Sequence, residues 1–113
     1  MSFDSFYFGT FSKNISNVKV GYVLIHERDF NRLCRQFHKD YKYIVETEDY
    51  KNDYGYGFKY TLNNKDTIIL LNRWKDEVDN TNSKMYISET SWENIKKDFK
   101  LEEYQINFNK EIL

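Results

Sequence analysis

Hydrophobic and polar positions alternate strictly from Tyr54 to Leu62. Tyr54, Tyr56, Phe58, Tyr60 and Leu62 are interleaved with Gly55, Gly57, Lys59 and Thr61. A period of two predicts a strand with one aromatic face and one nearly bare face. Asn63, Asn64, Lys65 and Asp66 follow, and Asn and Asp suit a turn because they tolerate left-handed backbone and hydrogen-bond it locally. Thr67 to Leu71 is apolar on both faces, as in a central strand covered on both sides. The expectation is a hairpin whose second strand is central and whose first carries an aromatic ladder.

The same reading extends along the chain. Ser5 to Phe11 is a short strand with a bend at Gly9, and Val18 to Ile25 a firmer one. Between Glu27 and Tyr41, Phe30, Leu33, Cys34, Phe37 and Tyr41 recur at helical spacing and form one apolar stripe. Tyr43 to Thr47 resumes as a strand, and Glu48 to Asp53 is polar and turn-like. Lys75 to Ser83 is the most loop-like stretch. In Lys84 to Ser88, Met85 and Ile87 face one way and Tyr86 the other. Thr90 and Glu93 have capping-box spacing and open a helix over Ser91–Lys100, with Trp92, Ile95 and Phe99 on its apolar side. Tyr104, Ile106 and Phe108 alternate as a terminal strand. One domain over residues 1–113 is expected. Its fold class is α+β, an antiparallel sheet of about five to seven strands with two amphipathic helices packed on one face.

Composition sharpens this picture. Aromatic residues, ten Tyr and nine Phe among them, make up nearly half of the hydrophobic residues, and Ala and Pro are absent. Few aromatic side chains fill a small core, and tyrosines left at the surface suit protein-binding faces. The residues that replace Ala and Pro have AT-rich codons, which is compatible with an AT-rich bacterium or its phage. A net charge of −1 provides no bulk attraction to nucleic acid or to an anionic membrane. Cys34 is the one cysteine, so no internal disulfide forms and a reducing compartment fits. The first residues lack the basic start and apolar run of a signal peptide. The expected location is the cytoplasm of a bacterial or phage-infected cell, with no membrane, cofactor or metal involved.

Candidate chemistry is sparse. Cys34 and His38 sit four apart on the first helix, with His26 before it, and could form a nucleophile and base or a zinc site. Cys34 lies in the apolar stripe, however, so a core role leads and no catalytic residue is assigned. His26, Glu27, Arg28 and Asp29 gather ionisable groups at a strand end, where capping and solvation are the ordinary explanation. Arg28, Arg32, Arg35 and Lys39 form a basic stripe that could meet phosphates or an acidic partner. Glu46, Glu48, Asp49 and Asp53 are one acidic cluster, and Asp76, Glu77 and Asp79 another. Neither has calcium-loop spacing.

The leading expectation is a small protein that binds another protein and inhibits it by steric occlusion. Size and composition suit an anti-CRISPR-like phage inhibitor of host defence, or an immunity protein that neutralises a toxin. The partner would be a host defence nuclease or a toxin. The partner-binding residues would be Tyr54, Tyr56 and Tyr60, the basic face Arg28, Arg32, Arg35 and Lys39, and the acidic loop Asp76, Glu77 and Asp79. A homodimer through the aromatic strand has the same sequence signature. A nucleic-acid or nucleotide binder using the basic helix face is the alternative, and a Cys/His enzyme comes last.

Overall fold

The structure, a computed structural model, describes residues 19–74 and 83–108. The strand expected over Ser5–Phe11 lies outside the described residues, as do Asp76, Glu77 and Asp79. The elements run β1 (Val20–Ile25), α1 (Glu27–Lys39), β2 (Ile44–Lys51), β3 (Gly55–Leu62), β4 (Thr67–Arg73), β5 (Ser83–Ser88) and α2 (Glu89–Phe99). The strands form one five-stranded sheet in the order β1-β5-β4-β3-β2, and every neighbouring pair is antiparallel. The expected α+β class is the observed one, and β4 is central as its apolar run implies.

The helices share one face of the sheet. Phe30, Leu33 and Phe37 of α1 and Trp92, Ile95 and Phe99 of α2 pack against Val23, Ile25, Tyr60, Leu62, Ile68, Leu70, Met85 and Ile87. Each such side chain contributes about 1.5–3 kcal/mol on burial. On the opposite face Ile69, Leu71 and Tyr86 form a second buried cluster, flanked by half-buried Tyr22, Tyr50 and Tyr54. Met85 and Ile87 thus do face away from Tyr86. α1 lies over β4 and β5, and α2 over β5. Both helices therefore sit toward the β1 side, and the helix-side surface of β2 is left uncovered.

Several boundaries differ from the sequence expectation. β2 continues through Glu48 to Lys51, where a polar turn was expected, because its register with β3 runs on to Lys51 opposite Tyr56. α2 starts two residues early. The Ser88 hydroxyl caps the Ser91 N–H at 3.2 Å, so Thr90 is already helical and the Thr90–Glu93 box does not open the helix. Ser88 is held in place by its own bond to the buried Asp66 carboxyl group of the β3–β4 turn. The terminal strand is reduced to one bridge. Tyr22 and Asn107 exchange two backbone hydrogen bonds, of 2.9 and 2.8 Å, along the outer edge of β1. Gly21 permits this approach, since a Cβ there would sit 2.4 Å from the Asn107 carbonyl oxygen. Among the described residues no helix is long and apolar enough to cross a membrane.

Candidate functional site

The aromatic ladder divides among three environments. Tyr60 is completely buried beneath α1, with its ring edge-on to Phe37 and its hydroxyl 2.9 Å from His38 Nε2. A partner cannot reach it, which removes it from the expected contact surface. Tyr54 precedes β3 and packs with the opposite-face cluster, its ring 4.2 Å from Lys84 Nζ. It therefore does not share a face with Tyr56. Tyr56 remains 43% exposed on the helix side.

Beside Tyr56 stands a residue that sequence reasoning did not select. Trp74 is 41% exposed and its ring lies 5.1 Å from that of Tyr56. The indole is pinned by design of the hairpin turn: Trp74 Nε1 donates to the Asn52 carbonyl at 3.0 Å, and its backbone N–H donates to Tyr54. Asn52 in turn accepts from the N–H groups of Tyr54 and Gly55 through its side chain. A held aromatic pair presents apolar area without much side-chain entropy left to lose on binding.

The pair stands next to a groove of about 570 Å³ lined by Phe30, Phe58 and Tyr56 with Asp49, Tyr50, Lys51 and Gly57. Phe30 comes from α1, Phe58 from β3, and Asp49 and Lys51 from the uncovered side of β2. The groove exists because α1 stops short of β2. A second cleft, of about 350 Å³, lies at the other end of the hairpin between Tyr41, Tyr43, Asn63, Asn94 and Asp98. There the Tyr41 hydroxyl already donates to Asp98 at 2.8 Å, so the cleft's one phenol–carboxyl pair is internally satisfied.

The basic stripe also divides. Arg32 Nη2 donates to Asp29 at 2.9 Å and Nη1 to the Phe99 carbonyl at 2.8 Å, so this guanidinium ties α1 to the end of α2. Arg28 lies 3.8 Å from Glu103. Arg35 and Lys39 are exposed. The charged cluster at the start of α1 is structural in its contacts. Glu27 accepts from Asn72 at 3.2 Å, and Asp29, buried, accepts from the Tyr104 hydroxyl as well as from Arg32. Burial by itself would raise the Asp29 carboxyl. The hydrogen bonds from Tyr104 and Arg32 and the charges of Arg32 and Arg28 outweigh it and hold the group below its ordinary value. A depressed folded-state value adds stability that is present above the unfolded value and is lost as pH falls through the folded one. The stability gap between the native protein and Asp29→Asn is thus expected to be constant near neutrality. It should shrink once pH drops below about 4, as read by urea midpoints across pH. A gap that does not change with pH would refute this.

Cys34 and His38 both lie near the Tyr60 hydroxyl. Burial pushes the Cys34 thiol up, and its hydrogen bond with Tyr60 and the charge of Arg35 offset this only in part. A protonated thiol is a poor nucleophile, so the placement favours the core role for Cys34. Comparison with protein-family models, with curated proteins and with solved structures returned no match to this chain, so the site stands on its own geometry.

Proposed function

We propose that this chain acts by binding another protein and occluding its working surface, as a phage-encoded inhibitor of host defence or a toxin-immunity protein does. The observation that carries the reading is the exposed Tyr56–Trp74 pair, its indole hydrogen-bonded to the hairpin turn, beside an apolar groove. Tyrosine and tryptophan anchors next to a pocket are the side chains that dominate protein–protein binding energy. Asp49 and Lys51 at the groove margin would act as the polar rim that sets orientation. The nucleic-acid reading has less support, because Arg28 and Arg32 already have carboxylate neighbours.

The test is capture of a partner from bacterial lysate by the tagged chain, with nuclease present, followed by affinity measurement on Tyr56→Ala/Trp74→Ala. That double variant is expected to lose about 1,000-fold or more in affinity, each anchor contributing about 2 kcal/mol or more. Its circular dichroism should match the parent, with a cooperative thermal transition lowered by no more than about 10 °C. Undiminished affinity in the folded double variant would defeat the proposal, and partners that vanish with nuclease would favour the basic helix face.

A further inference from the structure

The two edges of the sheet differ. β1 is lined along its outer side by the Asn107 bridge, with both backbone groups of Tyr22 used. β2 is the other edge strand, and among the described residues no strand lies beyond it. Its backbone pairing can be followed from the turn. Asn52 N–H bonds the Gly55 carbonyl at 2.9 Å, so the hydrogen-bonded pairs with β3 fall at Tyr50–Gly57 and Glu48–Lys59. The backbone groups of Thr47, Asp49 and Lys51 then point outward, away from β3. Their side chains lie on the helix side, level with Tyr56, Phe58 and Tyr60, where the groove opens.

Charge decides what can add to this edge. Glu46, Glu48 and Asp49 are exposed along β2, with Lys59 of β3 3.9 Å from Glu48, and Lys51 is the single cation on the strand itself. A second copy of the chain would bring one acidic strand alongside another, and like charges on paired strands are destabilising. The extra residue at Val45, where the register with β3 shifts, further bends the strand away from flat self-pairing. A basic strand meets the opposite situation. Paired antiparallel to β2, it would set alternate side chains beside Glu46 and Glu48 on one face. The intervening side chains would point into the Phe30–Phe58–Tyr56 groove on the other.

We infer that β2 is a docking edge for an extended basic segment of the partner, which adds as a sixth strand with cations and apolar residues in alternation. This rests on the protein-binding reading above and names the chemistry of what the site takes. Main-chain hydrogen bonds would provide affinity, and the acidic face and groove would provide register and selectivity.

The probe is a synthetic peptide of alternating lysine and valine, compared with a glutamate–valine peptide, titrated into the isotope-labelled chain. Saturable binding of the lysine peptide is expected, with the largest amide shifts at Thr47, Asp49 and Lys51. Thr47→Pro removes one outward N–H without touching the ladder to β3 and should weaken binding about tenfold. Glu46→Lys/Glu48→Lys should weaken it by about the same factor and create binding of the glutamate peptide. Shifts confined to the helix surfaces would overturn the inference, as would indifference of both variants. So would a self-association in sedimentation that Thr47→Pro abolishes, because the edge would then belong to a second copy. A captured protein partner that needs Tyr56 and Trp74 but ignores both edge variants would leave occlusion standing and strand addition refuted.

Discussion

Tyr60→Ala is expected to destabilise the domain by about 3–5 kcal/mol, whereas Tyr56→Ala, four residues away on the same strand face, should cost less than about 1 kcal/mol. Tyr60 has no exposed surface and is enclosed by Phe37, His38 and Phe58, at ring separations of 4.9, 5.5 and 6.1 Å. Truncation would open a cavity under α1 that the packed helix cannot collapse to fill. Tyr60→Phe keeps the ring and removes the hydroxyl that meets His38 and Cys34, so about 1 kcal/mol is expected. Urea denaturation of the three variants reads the series directly. Equal midpoints for Tyr60→Ala and Tyr56→Ala would show that the ladder is not divided between core and surface as described. The contrast also bears on function, since a binding defect in Tyr60→Ala would report loss of the fold and one in Tyr56→Ala loss of a contact.

Removing the carboxyl group of Asp66 should have an effect of similar size. Asp66 is 2% exposed and accepts from the Ser88 hydroxyl, the Ser91 hydroxyl and, at 2.8 Å, the Thr67 N–H. One side chain in the β3–β4 turn thereby organises the end of β5 and the first turn of α2. Asp66→Ala leaves three buried donors without an acceptor, for an expected loss of about 3–5 kcal/mol. Asp66→Asn keeps one acceptor, and a serine hydroxyl can rotate to accept from the new amide, so about 1–2 kcal/mol is expected. Amide exchange should reveal early opening at Ser91 and Trp92 in both variants. If Asp66→Ala unfolds at the parent's urea concentration, the carboxyl group is not the organiser proposed.

The groove residues illustrate how far a single sequence carries. The period of two in β3 placed Tyr56, Phe58 and Tyr60 on one face, and the register with β2 and β4 agrees. The near-bare face of the strand also behaves as its glycines suggest. A Cβ on Gly57 would lie 1.9 Å from the Leu70 carbonyl oxygen, so the neighbouring backbone does approach closely there. Burial is a different matter, because it depends on where α1 ends across the sheet. Tyr60 lies under the helix and Tyr56 beyond its edge, although both have the same place in the alternation. Trp74 depends on tertiary structure in the same way. It follows an apolar run, and its exposed place is set by bonds to the Asn52 and Tyr54 carbonyls in a turn about twenty residues earlier.

β2 marks the same limit from the other side. Its polar continuation from Glu48 to Lys51 reads as a turn because the usual strand signal is one buried face, and an edge strand that no helix covers has none. Arg32 shows the converse. Its helical spacing with Arg28, Arg35 and Lys39 is real, yet the guanidinium is committed to Asp29 and to the Phe99 carbonyl, across 67 residues of chain. Local periodicity alone determined β1, β3, β4 and β5, the first half of β2, and the two helices with their apolar stripes, since side-chain direction repeats within a few residues of backbone. Which tyrosine is core, which arginine is bound and which edge is open were decided by the tertiary structure, because each depends on a contact between segments far apart in the chain.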